Sequence, residues 1–195
     1  MTTFEVEIKF QIEDIEQLEH QLHQQNCAGF GQQFEDYDSF FQHPSRDFVK
    51  TDECLRLRNR VLPDGHSEHS LTYKGPKRDA LTKTRQEIEI TVTEPSQWES
   101  MLKALGFQKT AELHKHRRRQ TLTINHRQID IVLDTVPALP TPKHQFLELE
   151  TLASEPEIEE CREMLLGLAH QLGLREPIRE SYLNLVQSHT KTKST

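Results

Sequence analysis

The amino-acid sequence predicts an α+β fold built on an antiparallel sheet. About seven segments alternate charged and aliphatic residues, which is the pattern of strands whose two faces differ. Segments with helical spacing of apolar residues lie between some of them, and turn residues separate others. The sheet is therefore either open, with helices on its apolar face and water on its charged face, or closed on itself around a charged lumen.

Length and composition limit the class of protein. The chain has 195 residues, of which 34% are hydrophobic and 28% are charged. Because the charges alternate with apolar residues instead of forming blocks, we expect a folded domain with a real core. The net charge of −7 excludes the general basic surface that nucleic acid attracts, so we expect no nucleic-acid partner.

The sequence also indicates a compartment. Its three cysteines lack the spacing of a metal site and suit a reducing environment. No apolar run approaches the roughly 20 residues that span a bilayer, and the N-terminus lacks the apolar core of a signal peptide. We therefore expect a cytoplasmic protein with no membrane partner.

The first elements of the chain follow from periodicity. The first strand carries Glu5, Glu7 and Lys9 on one face and apolar residues on the other. A helical pattern follows over 14–26. Residues 33–52 mix aromatic and acidic residues and predict a strand and a loop.

A hairpin and a further strand come next. Residues 54–60 place three arginines on one face, and 70–76 form the returning strand after a turn at Pro63-Asp64-Gly65. After a polar loop, residues 85–90 alternate again, with charged side chains on one face.

The second half of the chain repeats these patterns. A helix over 95–106 precedes a basic strand over 115–124, which pairs with an acidic strand over 129–134. Three prolines make 137–144 irregular. The strand over 146–150 then repeats the two carboxylates of the first strand.

Helices close the predicted fold. One helix covers 156–173, and a short one covers 180–187. We predict a single domain over 1–187, followed by a disordered tail over 188–195.

The charged faces contain clusters of opposite sign, which would meet in one lumen if the sheet closed. Burying unpaired ions costs several kcal/mol each, so mutual pairing and a bound ligand must compensate. A polyphosphate with a divalent metal fits both signs, because Arg and Lys match phosphate oxygens and Mg²⁺ or Mn²⁺ prefers carboxylate oxygens.

The order of the charged motifs along the chain resembles that of a known protein family. Glu5-x-Glu7-x-Lys9 resembles the ExExK signature of the CYTH family, the triphosphate tunnel metalloenzymes, which include class IV adenylyl cyclases and thiamine or inorganic triphosphatases. Six later blocks follow in the family's order: Leu55-Arg56-Leu57-Arg58, Thr72-Tyr73-Lys74-Gly75, Arg85-x-Glu87-x-Glu89, Lys115-x-Arg117, Leu133-Asp134-x-Val136 and Glu148-x-Glu150. The resemblance covers residues 4–187 and implies a closed, eight-stranded antiparallel tunnel with a charged lumen and helices packed outside.

The resemblance also implies roles for single residues. The metal ligands, for Mg²⁺ or Mn²⁺, would be Glu5, Glu7, Asp134, Glu148 and Glu150. The triphosphate would contact Lys9, Arg56, Arg58, Lys74, Arg85, Lys115 and Arg117. Catalytic roles would fall to Lys9, Arg85, Lys115 and Asp134.

Some of these roles have alternatives. Lys9 would either contact phosphate or only neutralise Glu7. Glu87 and Glu89 would ligate metal or instead orient the arginines. A set of charged residues is expected at the periphery, namely Arg60, Arg119 and Asp130. The chain departs from the family pattern at 139–144, where a proline-containing segment replaces a short Leu-Gly turn.

The family resemblance leaves three functions open. The opening strand and the closing Ser181-Tyr182 segment are most similar to bacterial class IV adenylyl cyclases, which convert ATP to 3′,5′-cyclic AMP and pyrophosphate. The alternative is a triphosphatase that hydrolyses tripolyphosphate or thiamine triphosphate, and the third reading is a binder without turnover. Members of the family often form dimers, so the resemblance is compatible with a homodimer and leaves the oligomeric state open.

Overall fold

The computed structural model describes residues 3–25, 27, 29–78 and 82–193, and within them the chain forms eight strands and four helices. The strands are β1 (Phe4–Gln11), β2 (Gln32–Gln42), β3 (Cys54–Val61), β4 (Ser67–Lys74), β5 (Arg85–Thr91), β6 (Gln108–Ile124), β7 (Arg127–Thr135) and β8 (Gln145–Ala153). The helices are α1 (Ile15–Gln24), α2 (Pro95–Ala104), α3 (Ile158–Gln171) and α4 (Tyr182–Lys193).

The strands close into one antiparallel barrel in the order β1-β5-β4-β3-β2-β6-β7-β8. This confirms the eight-stranded tunnel and excludes the open sheet. The seam between β1 and β8 is long and regular, and it sets Glu7 opposite Glu150 and Lys9 opposite Glu148. Because side chains alternate along a strand, these four charged residues all point into the lumen.

The seam between β1 and β5 is short. It pairs only Phe4 with Gln86 and Glu5 with Arg85. Beyond that point the chain before β5 continues along β1, where the Lys83 N–H donates to the Glu7 carbonyl at 2.9 Å. The short seam therefore brings Lys83, which precedes the strand, to the side of the carboxylate strand.

The hydrophobic core lies outside the barrel wall. Its largest cluster joins the outer faces of β1, β7 and β8 to α1 and α3, with Ile8, Leu149 and Leu165 almost fully buried. A second cluster, which includes Leu57 and Leu102, lies under α2. Each such side chain contributes about 1.5–3 kcal/mol when fully buried, so the helices hold the wall while the lumen stays polar.

The helix ends follow local sequence. The Asp14 carboxylate accepts the Gln17 N–H at 2.9 Å and caps α1. Gly106 and Gly173, at φ +90° and +71°, follow α2 and α3 in the left-handed conformation that glycine adopts without strain. The Ser181 hydroxyl accepts the Asn184 N–H at 3.1 Å, which explains why α4 begins at Tyr182.

Two boundaries differ from the sequence prediction. Strand β6 begins at Gln108 rather than 115, because it pairs with β2 along its first half and with β7 along its second. Helix α4 continues to Lys193, past the predicted end at Gln187 and into the segment for which we predicted disorder. Within the described residues no helix combines the length and the apolar character needed to cross a bilayer.

Candidate active site

All eight strands contribute side chains to one cavity of about 380 Å³ inside the barrel. Acidic and basic side chains from opposite walls face each other across it. At one mouth the lining becomes aromatic, with Phe40, Phe41 and Phe48. The start of α4, including Tyr182, also lines the cavity. The arrangement is a polar chamber with an apolar entrance.

Three of the predicted metal ligands come together on neighbouring strands. Glu5 and Glu7 on β1 and Glu150 on β8 each offer a carboxylate oxygen, and these oxygens all lie within 4.8 Å of one another. We call these three residues the carboxylate triad. The β1–β8 register builds it, because Glu7 and Glu150 are direct cross-strand partners.

The electrostatics of the carboxylate triad favour a bound cation. Burial and the neighbouring carboxylates of Glu5 and Glu148 raise the pKa of Glu150 well above its ordinary value. Burial, with the Glu148 carboxylate, also raises the pKa of Glu7, and burial raises that of Glu5. The all-oxygen donor set, in which Glu5 is paired with Lys74 and Glu7 with Lys83, fits Mg²⁺ or Mn²⁺.

The other two predicted metal ligands lie in the lumen but are paired with cations. Arg117 donates two hydrogen bonds to Asp134, at 2.7 and 2.6 Å, and a third to Glu148 at 2.9 Å. Asp134 is fully buried behind this guanidinium. Metal ligation by Asp134 and Glu148 stays a prediction, and in this arrangement they hold Arg117 in place.

Three predicted phosphate-binding residues, Arg56, Arg85 and Lys115, line the cavity. The Nε atoms of Arg56 and Arg85 are buried and have no hydrogen-bond partner among the residues described. The Lys115 Nζ lies 3.7 Å from both Asp38 and Asp134, beyond hydrogen-bond distance. Buried donors are rarely left without a hydrogen-bond partner, and phosphate binding by these three residues stays a prediction.

The remaining cations of the predicted cradle are engaged by carboxylates. Lys74 lies between Glu5 at 2.7 Å and Glu87 at 2.6 Å. Burial alone would raise the pKa of Glu87, but Lys74 outweighs it and lowers that pKa to about 2. Glu87 thus forms an ion pair with Lys74, whereas Glu89 accepts a hydrogen bond from the Thr72 hydroxyl at 2.8 Å.

The sequence prediction missed an acidic pair on β2. Arg58 donates two hydrogen bonds to Asp38, at 2.7 and 2.9 Å, and Arg60 donates two to Asp36, at 2.8 and 3.0 Å. Burial alone would raise both carboxyl pKa values, but the Arg58 guanidinium outweighs it and holds them below their usual range. The available signal was the two-residue spacing of the two aspartates, the same as in β1.

The prediction also missed Lys83. Its Nζ donates to Glu7 and lies 3.5 Å from Glu148, and the residue is 5% exposed. Burial would lower the pKa of Lys83, but Glu7 and Glu148 outweigh it and raise that pKa. No periodic pattern marks Lys83, because it lies in the loop before β5.

Lys9 lies at the edge of the chamber, and its contact with phosphate stays a prediction. Its Nζ donates to the Glu180 carbonyl and lies 4.0 Å from the centroid of the Tyr182 ring, while Lys83 is the cation paired with Glu7. Burial and the Lys83 ammonium lower the pKa of Lys9 to about 7. The C-terminal segment thus covers Lys9 at the edge of the chamber.

A second cavity, of about 730 Å³, reaches the carboxylate triad from outside. Glu5, Glu150 and Asp130 line both cavities, and the second also contacts the turn between β6 and β7. Arg119 pairs with Asp130 at 2.5 Å. Glu5 and Glu150 of the carboxylate triad therefore border both cavities.

Comparisons with known proteins agree with this architecture. The chain matches the CYTH domain over residues 3–182. It is 34% identical over 186 residues to a Methanocaldococcus jannaschii protein named putative adenylate cyclase MJ0240, a match that covers 93% of this chain and 97% of that one.

Solved structures share the fold. The PH1819 protein from Pyrococcus horikoshii OT3 has a TM-score of 0.81 at 34% identity, with 95% of this chain and 99% of that chain covered. A Vibrio parahaemolyticus protein described as a putative adenylate cyclase has a TM-score of 0.73 at 22% identity, with 96% and 99% covered. The domain match spans nearly the whole chain, and this protein therefore belongs to the CYTH domain family.

Proposed function

We propose that this protein is a metal-dependent enzyme that binds a nucleoside triphosphate in the tunnel and cyclises it, with ATP as the substrate. One observation carries the proposal: the carboxylate triad and the cationic side chains of Arg56, Arg85 and Lys115 line the same cavity. The charges suit a divalent ion on one wall and a polyphosphate on the other. The name of the 34% identical relative supports the cyclase assignment.

The entrance of the cavity supports an organic triphosphate over an inorganic one. Phe40, the cross-strand partner of Arg56, lies on the lining and is partly exposed, and Phe41 and Phe48 border the same cavity from the cluster under α2. Aromatic rings stack with purine bases, and such contacts contribute about 1–3 kcal/mol per base in nucleic-acid complexes. An inorganic tripolyphosphate would gain nothing from these side chains.

The proposed reaction has a simple balance. The ribose 3′-oxygen attacks the α-phosphorus, the bond from that phosphorus to the bridging oxygen breaks, and pyrophosphate leaves with its electron pair. The 3′-hydroxyl proton is released to water. The divalent ion, when bound by the carboxylate triad, supplies charge neutralisation at the phosphates. Arg56, Arg85 and Lys115 would orient the phosphate oxygens and stabilise their growing negative charge.

A second candidate reaction is hydrolysis of the terminal phosphate. The second cavity favours it, because Glu5 and Glu150 line that opening as well and water could reach the metal site from there. In this reaction a water oxygen attacks the γ-phosphorus and orthophosphate is released. Both reactions use the same cations and carboxylates, so the products must separate them.

Product analysis tests the proposal. The protein is incubated with ATP, tripolyphosphate or thiamine triphosphate and with Mg²⁺ or Mn²⁺, and products are identified by ³¹P NMR and chromatography. Cyclic AMP with pyrophosphate is the expected result. Orthophosphate without a cyclic nucleotide would replace the cyclase by the triphosphatase, and binding without any product would leave a non-catalytic binder.

A matched pair of variants attributes turnover to the tunnel. Glu150→Gln removes one carboxylate charge from the triad and should abolish metal-dependent turnover. Glu68→Gln makes the same change at an exposed position of β4 and should leave turnover unchanged. Equal activity in both variants would remove Glu150 from the site.

A further inference from the structure

A second group of potential metal ligands lies on the outer face of the barrel. It consists of Glu35 on β2 with His114 and His116 on β6, and we call it the outer cluster. One Glu35 oxygen lies 2.6 Å from the His114 Nε2, and the other lies 2.6 Å from the His116 Nδ1. One ligand atom from each residue lies within 4.8 Å of the other two.

The sheet itself builds the outer cluster. In the β2–β6 register Glu35 is the direct partner of His116, and Tyr37 is the partner of His114. The two histidines are two residues apart on one strand, so they share a face. The Tyr37 ring stacks on the His114 ring, with centroids 4.5 Å apart and planes 4° from parallel. This stacking orients the His114 imidazole, and the His116 ring lies edge-on to it with centroids 4.7 Å apart.

The outer cluster is separate from the tunnel. His114 and His116 alternate along β6 with Lys115 and Arg117, which point into the lumen. The sheet therefore stands between the two sites. The donor sets also differ, because the lumen offers the carboxylate oxygens of the triad whereas the outer cluster offers two imidazole nitrogens and one carboxylate.

We infer that the outer cluster binds a divalent transition-metal ion of the Zn²⁺ class. Two imidazoles and a carboxylate are the protein ligands of many three-ligand zinc sites, with metal–ligand distances of about 2.0–2.2 Å. Without metal, the His114 Nε2–H and the His116 Nδ1–H donate to the two Glu35 oxygens. A metal would take the place of those protons. The three side chains are partly exposed, so water can complete the coordination shell.

Cobalt titration tests this inference without relying on turnover. The full chain is titrated with Co²⁺ in a large excess of Mg²⁺, which occupies the oxygen ligands of the tunnel, and the visible absorption of nitrogen-ligated Co²⁺ is recorded. We expect a saturable Co²⁺ spectrum that Zn²⁺ abolishes by competition. The variants His114→Ala and His116→Ala should each weaken binding by more than the roughly tenfold loss typical of removing a supporting residue.

A control variant and a fold check complete the experiment. His66→Ala removes an exposed histidine from the β3–β4 turn and should leave the spectrum unchanged. Circular dichroism shows whether each variant is folded, and Glu35→Gln provides a test that leaves both imidazoles in place. Unchanged Co²⁺ affinity in the His114→Ala/His116→Ala double variant, or loss of the spectrum in Glu150→Gln instead, would overturn the inference.

Discussion

Lys83 shows how strongly a single side chain can organise the tunnel. It is buried, it donates to Glu7 and it lies near Glu148, so one ammonium compensates carboxylates from two adjacent strands. Lys9, which occupies the third position of the sequence motif, is turned to the C-terminal segment instead. The lysine of the signature and the lysine that neutralises its second glutamate are thus different residues.

Replacing Lys83 should destabilise the fold. Lys83→Met keeps much of the side-chain volume but leaves the buried Glu7 without its cation, and breaking a buried pair costs about 3 kcal/mol or more. Urea denaturation of the metal-free protein measures the effect. Lys50→Met is the control, because the Lys50 side chain is 83% exposed. Equal midpoints for the two variants would contradict a structural role for Lys83.

Tyr182 should act mainly through its ring. The ring packs on Phe146 with centroids 5.0 Å apart and covers Lys9, whereas its buried hydroxyl has no hydrogen-bond partner in the described part of the chain. Tyr182→Phe should therefore change the free energy of unfolding by less than about 1 kcal/mol. Tyr182→Ala should cost about 3 kcal/mol or more. If denaturation curves show the two variants equally destabilised, the hydroxyl and not the ring is what matters.

At the scale of elements, β2 and β3 form a ladder of acid–guanidinium pairs. Asp38 with Arg58 and Asp36 with Arg60 each make a two-bond contact, and Arg58 also lies 3.3 Å from Asp36. The pairs fix the arginine side chains on one wall of the lumen. Phosphate-binding groups held in this way lose little conformational entropy when a ligand arrives.

The ladder should make stability depend on pH. The pKa of Asp38 in the fold lies below its value of about 3.9 in an unfolded chain, so the ionised group stabilises the fold above that pH. This contribution is lost as the pH falls from there towards the folded-state pKa. The stability difference between wild type and Asp38→Asn should therefore shrink by about 1 kcal/mol between pH 7 and pH 3, as measured by urea denaturation. A difference that is constant or larger at pH 3 would contradict this account.

The strands differ in how much of their role can be read from sequence. In β1 the lumen face is charged and the outer face is apolar, so alternation reveals both. In β2 Asp36 and Asp38 keep the two-residue spacing of a lumen face, but the outward Glu35 and Tyr37 are polar as well, so charged and aliphatic residues do not alternate. Lys83 gives no signal at all, because only the closure of the barrel brings its loop beside β1.

At the scale of the whole molecule, the barrel is polar inside and apolar outside. Helices α1, α2 and α3 cover the apolar outer wall, and the charged lumen is held by pairs between strands. Burying so many charges carries a desolvation cost that pairing only partly offsets. The charged lumen is better explained by binding of an anionic ligand together with a cation than by a contribution to the stability of the fold.

The whole-molecule features were only partly accessible from sequence. Helices and most strands follow from periodicity and capping residues, and the order of motifs indicates the family. The strand order, which places β5 between β1 and β4, depends on long-range pairing that no local pattern encodes. For the same reason, local sequence patterns do not place Glu5 and Glu7 beside Glu150, because only the pairing of β1 with β8 in the closed barrel brings these side chains together.

The location of the metal tests the central claim most directly. Crystals grown with Mn²⁺ and a non-hydrolysable ATP analogue would show Mn²⁺ by its anomalous scattering. We expect an anomalous peak within about 2.5 Å of carboxylate oxygens of Glu5, Glu7 or Glu150, with the triphosphate against Arg56 and Arg85. A tunnel without Mn²⁺, or a triphosphate bound elsewhere on the molecule, would contradict it.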